Sequence, residues 1–163
     1  VIQQPAASAY EFVLALHVMA VVVAFGVTFA YPIIFAVGAK VQPRALPLLH
    51  RIGYTIERRL VNPGLVVVLA AGIYLASDGH HWSEFFVQWG FAVVIVIGAL
   101  AGSVMIPTSK KAEFAAERDI AAAGDGEIEF GEEYQHLVRR LNLVGSLLGV
   151  LVLVTILFMV VKP

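Results

Sequence analysis

Five histidines, His17, His50, His80, His81 and His136, are the side chains of this sequence best suited to chemistry, because the chain has no cysteine. Imidazole can shuttle a proton, ligate a metal or hold a haem iron. The missing cysteines remove disulfides, thiolate metal sites, iron–sulfur clusters, thioether-attached haem and cysteine nucleophiles together. No phosphate loop, HExxH pair or nucleophile elbow is present either. Position then sorts the histidines. His80 and His81 are adjacent, His50 and His136 sit among charged residues, and His17 alone lies within an uncharged stretch, LHVMAVVVAFGVTFAYP.

Three chemical readings of His17 follow. It is a neutral ring bonded to a neighbouring carbonyl or hydroxyl, or an axial ligand of a b-type haem, or part of a copper site. For haem, His80 and His81 are the weaker candidates, on the same side but at the rim, while His50 and His136 belong to the opposite end and could pair there. For copper or another metal, His80-His81 is an adjacent pair that could bind one weakly, whereas Met19 is a poor partner of His17, because two residues along a helix it points some 200° away.

The composition says what surrounds these residues. Sixty per cent of the chain is hydrophobic and 14% is charged, against about 25% charged in a soluble domain. A water-facing globule cannot be covered with so little polar surface. The formal net charge of −1 points to no nucleic acid.

Asp, Glu, Lys and Arg are missing from Phe12–Ala39, Leu60–Ser77, Phe85–Ser109 and Leu141–Val161, runs of 28, 18, 25 and 21 residues. About 20 apolar residues cross the hydrocarbon of a bilayer as a helix. With short extensions into the headgroups, the expected spans are 12–39, 57–77, 85–109 and 139–161 of one domain covering 1–163. The first run lacks the basic leader of a cleavable signal peptide and is too long for one. The expected fold is all-α, an antiparallel bundle of four transmembrane helices.

Lysine and arginine set its direction. The connections Lys40–Arg59 and Lys110–Arg140 hold ten of them, and the remaining one is Lys162. Basic residues stay on the cytoplasmic side, so both termini are expected outside a bacterial inner membrane. In the first cytoplasmic connection Arg44, Arg51 and Arg58 recur every seven residues, the stripe of an amphipathic helix. Each gains about 1 kcal/mol near anionic lipid, which assigns them to lipid headgroups, with an acidic partner as the alternative. The second cytoplasmic connection is expected to continue the third helix to about Ala123, break at Gly124-Asp125-Gly126 and resume near Glu132 as a solvated, partly mobile stretch. Trp82 and Trp89 suit the outer interface.

Packing can be read from small residues. Gly98 and Gly102 in the third span, and Gly145 and Gly149 in the fourth, form GxxxG patterns that permit close helix approach, within the chain or in an oligomer. In the first span His17, Ala20, Val21, Ala24, Thr28 and Tyr31 share one face, which is expected to turn into the bundle. Phe25 and Phe29 lie away from its centre and are expected on the lipid side.

The segments LHVMAVVVAFGVTFAYPIIFAVGAK and IERRLVNPGLVVVLAAGIYLA, with the Trp-bearing outer turn, resemble a bacterial family of four-helix integral membrane proteins without assigned function. That family is similar in layout to the copper-resistance D membrane proteins and to membrane protoporphyrinogen oxidases of the HemJ type. The resemblance to the latter implies haem chemistry with a first-helix histidine, matched by His17, and a third-helix lysine. The third span here has no lysine before Lys110. The leading functional expectation is a non-enzymatic accessory or assembly subunit, bound to lipid and to other membrane subunits or further copies of itself. A b-haem redox protein with His17 as ligand is the alternative, and a small-solute transporter ranks third.

Overall fold

The computed structural model describes residues 8–163. The first seven residues of the expected 1–163 domain, and with them the N-terminal end, lie outside the described residues. Four helices make up nearly all the rest: α1 (Ala9–Val41), α2 (Pro43–Asp78), α3 (Phe85–Ala123) and α4 (Glu132–Val161), each long and apolar enough to cross a membrane. Neighbours in sequence pack antiparallel, α1 on α2, α2 on α3 and α3 on α4. Ser8 caps α1: its Oγ accepts from the Glu11 amide, and the Glu11 carboxylate accepts from the Ser8 amide. This reciprocal box satisfies two donors that a helix start leaves free.

α3 is 39 residues long, about 58 Å at 1.5 Å per residue, nearly twice the thickness of a hydrocarbon core. The excess lies at the end carrying the first and third connections, called here the basic end; the opposite end carries Trp82. The third helix does stop at Ala123, and α4 does start at Glu132. The stretch after Ser109 is nonetheless not a solvated loop. It is helix packed on the start of α2, with Ala112, Ala115 and Ala116 buried beside Leu46 and Tyr134. The charge of this segment had suggested water all round. Its alanines form one small face on which α2 can rest.

Three helices depart from α-geometry, each just before a proline. α1 tightens to a 3₁₀ turn over Val27–Ala30 before Pro32. α2 and α3 widen to π-turns over Glu57–Val61 and Ala101–Met105, before Pro63 and Pro107. Proline lacks the N–H of the next helical bond and its ring collides with the carbonyl four residues back; a tighter or wider turn relieves both. α4, without proline, is unbroken.

α1 meets α2 along the predicted face. Ala24 is fully buried, and a methyl group built on Gly64 would stand 2.7 Å from its Cβ. Only glycine fits there, so this is the close helix approach of the molecule. Phe25 is a correction to the sequence reading. It is buried with Val93, Ile97 and Val152, because α1 also faces α3 and α4 and so has two inward sides. The GxxxG glycines meet side chains rather than backbone: Gly98 meets Leu65, Gly145 meets Met105 and Gly149 meets Phe29, while Gly102 has open space around it. At the Trp82 end Ala76, Phe86 and Val87 close the core with Phe158.

Gly64→Val is therefore expected to wedge α1 from α2 and cost about 1–3 kcal/mol, whereas Gly102→Ala is expected to be neutral; thermal unfolding of the two detergent-solubilised variants compares them.

Candidate functional site

His17 faces α2. Its Nδ1–H donates to the Val68 carbonyl oxygen at 3.0 Å, a carbonyl that can only accept. The ring lies over Gly72, with Cε1 3.6 Å from where a Cβ would be. Nε2 is then the unprotonated nitrogen and keeps its lone pair. The bond joins two helices in a medium where a polar group finds few other partners.

The other histidines do not join it. His81 packs over Gly79 and against Phe86, with ring centroids 6.1 Å apart. Gly72 and Gly79 are two helical turns apart, so His81 stands about 10 Å from His17 along α2. His80 is exposed, at φ 55°, with Nδ1 directed to the Asp78 carbonyl. Lys110, the first lysine of α3, lies over the Tyr54 ring at 5.5 Å, some 14 residues of α2 below Val68 and so about 21 Å away. No second histidine among the described residues comes within reach of a group that His17 would hold. Among the described residues no three His, Cys, Asp or Glu side chains cluster as a metal site.

The basic end holds the chain's main polar cluster. His50 is buried, its Nε2 3.2 Å from the Tyr134 hydroxyl and its Nδ1 3.5 Å from Ser109 Oγ. Phe35 of α1 covers the ring at 4.7 Å. All four helices thus meet at one imidazole. A pairing of His50 with His136 does not occur: Tyr134 takes that place, and His136, two residues further along α4, is exposed on the other side. Beside it Glu113, 3% exposed, accepts from Arg51 Nε at 2.7 Å, and Arg51 also reaches Glu117. The guanidinium supplies the counter-charge without which a buried carboxylate would be costly.

Arg44 turns its Nη2 to the carbonyls of Gly124 and Gly126, at 2.6 and 3.1 Å, capping the end of α3 where helix carbonyls are free and the dipole is negative. The seven-residue arginine stripe therefore divides: Arg44 and Arg51 hold α3, and Arg58 is exposed. Tyr134, Ser109, Thr108 and Glu113 escaped the sequence reading. The available signal was the spacing Ser109, Ala112, Glu113, Ala116, which puts small residues on one face of an otherwise charged helix.

His50 lies about 15 Å below the uncharged part of α2, outside the spanning segments. Burial pushes its pKa down to about 4, and the nearby Glu113 charge opposes that only in part. Below the ordinary value near 6.5 the unfolded chain binds a proton that the folded chain refuses.

Comparison with family models, curated proteins and solved structures yields no match to this chain.

The contribution of His50 to the stability of the basic end is expected to be full above pH 6.5 and to be lost between pH 6.5 and 4, by a total on the order of 3 kcal/mol. His50→Phe should remove that contribution, which is read as the difference between the two proteins across the range, while leaving Tyr134 and Ser109 short of a partner, at about 1–3 kcal/mol. Unfolding midpoints across this pH range for both proteins are the check.

Proposed function

We propose that the chain is a multi-pass protein of a bacterial inner membrane, both ends outside and the basic end in the cytoplasm, and that it serves as a structural subunit of a membrane assembly. One observation carries this: three of the four buried polar side chains among the described residues, His50, Ser109 and Glu113, are engaged in holding the chain's own helices together. His50, Tyr134, Ser109, Glu113 and Arg51 partner one another, and His17 is bonded to α2. Such groups fix geometry instead of awaiting a substrate. Outside them the spans present apolar side chains. α4 turns Leu143, Leu147, Val150, Leu153, Leu157 and Val160 outward, at spacings of three and four residues that place them along a helix surface suited to lipid or another helix. The sidedness rests on ten of eleven basic residues lying in two connections.

The haem reading has one observation in its favour. With Nδ1–H held by Val68, His17 has the tautomer and orientation of an imidazole ligand, its Nε2 lone pair without a partner among the described residues. The group would supply one-electron chemistry when bound; this chain's part would be to hold the ring.

The cysteine-free chain makes topology simple to test. A cysteine placed at His80 should react with an impermeant maleimide in intact cells, and one at Glu127 only after permeabilisation; the reverse pattern would invert the proposed orientation. Extracted in a mild detergent and run on a native gel, the tagged protein is expected in a species larger than its own mass, and a partner-free monomer would remove the subunit reading. Absorption after expression with ample haem separates the alternative: a Soret band lost in His17→Ala would favour it over a purely structural histidine.

A further inference from the structure

The three irregular turns lie at one level. Ala24 opposes Gly64 and the Tyr31 hydroxyl reaches the Gly53 carbonyl, so the 3₁₀ turn Val27–Ala30 between them faces the π-turn Glu57–Val61. Gly98 meets Leu65 and Lys110 lies over Tyr54, which brings the π-turn Ala101–Met105 beside the same stretch of α2. α4 contributes its glycine pair there, since Phe29 of α1 packs at Gly149 and Met105 of α3 at Gly145. Apart from the 3₁₀ turn Pro43–Ala45 that opens α2, one cross-section therefore holds the departures from α-geometry in the described helices, and Gly145 and Gly149 besides.

The two sides of this layer are held differently. Towards the Trp82 end is an apolar core of Ala24, Phe25, Val93, Ile97 and Val152. Towards the basic end is a head locked by directional bonds: Arg51 to Glu113, His50 to Tyr134, and Arg44 to the end of α3. Gly26 and Gly102 of this layer are exposed, with nothing within 4 Å of where a Cβ would stand on either, so they add no packing that would resist bending. Helices bend at prolines and π-turns, where the ladder of backbone bonds is interrupted. Three such interruptions at one height give the helices a common axis of bending, while interruptions at different heights would obstruct one another.

We propose that this layer is a joint: the basic-end head tilts as one body against the apolar bundle, bending at Val27–Ala30, Glu57–Val61 and Ala101–Met105, with α4 flexing at Gly145–Gly149. Phe29 on Gly149 and Met105 on Gly145 are its bearings, side chains that can slide over a surface without a Cβ. The motion is a hinge between two packed units. It goes beyond the structural role proposed above, and does not depend on which side of the membrane the head occupies.

Nitroxide pairs in the reconstituted protein test it, since two introduced cysteines are the only thiols. Ile95 and Phe114 are both exposed and flank the α3 turn, about 28 Å apart along the helix. Val66 with Ile95 on the bundle, and Leu48 with Phe114 on the head, report each body alone. The flanking pair is expected to give a distance distribution about twice as wide as either control, narrowing to the control width in Pro63→Ala/Pro107→Ala. A flanking distribution as narrow as the controls would overturn the joint, and so would a broad one that the replacements leave unchanged. Broad distributions from the control pairs as well would also overturn it, since neither unit would then be a body.

Discussion

Ala24 carries only a methyl group and Gly64 carries none, and where they meet two helix backbones come closer than other side chains would allow. Hydrocarbon gives apolar helices no hydrophobic reason to associate, so close van der Waals contact and occasional hydrogen bonds must serve instead. This contact brings α1 within reach of α2. The His17 bond to Val68 depends on it, because the carbonyl oxygen lies at hydrogen-bond distance only while the backbones stay this near. Phe25 can then turn to α3 and α4, and the central core closes around it.

Beyond the layer of prolines the means of cohesion changes. There the helices carry charge and their surroundings are wetter, so alanine faces, one buried imidazole and one ion pair take over from close-packed small residues. The two regimes are complementary. Directional bonds specify a unique arrangement where water could compete for looser contacts, and small apolar residues suffice where it cannot. The histidines illustrate the division: His17 anchors a helix pair inside the bundle, His50 ties four helices in the head, and His80, His81 and His136 stand outside both sets of bonds.

Much of this was legible in the residues. Uncharged runs marked four helices, and Gly124-Asp125-Gly126 marked the break after α3, because hydropathy and turn chemistry are local properties. The inward face of α1 was legible from the spacing of His17, Ala20 and Ala24, since helical periodicity needs no partner. What escaped were relations between helices. Phe25 seemed lipid-facing because one helix wheel cannot show that α1 has neighbours on two sides. The GxxxG pairs drew attention by their pattern, yet Gly64, in no such pattern, makes the close approach, because its importance lies in what stands opposite. Glu113 looked like one more charge on a solvated helix; only the α2–α3 contact reveals that Arg51 is its partner. Lys110 and His17 are both present, and only the fold shows the length of α2 between them.

Lipid, with other apolar helices, must surround the four spans for these contacts to hold the fold together. A nitroxide scan of α4 from Leu141 to Val161 in reconstituted bilayers measures this directly, by comparing relaxation from dissolved oxygen with relaxation from a water-soluble nickel chelate. Leu147, Leu153 and Leu157 are expected to be open to oxygen and closed to nickel, with oxygen access rising and falling at about 3.6 residues. Ready access of the nickel reagent along that face would contradict the arrangement.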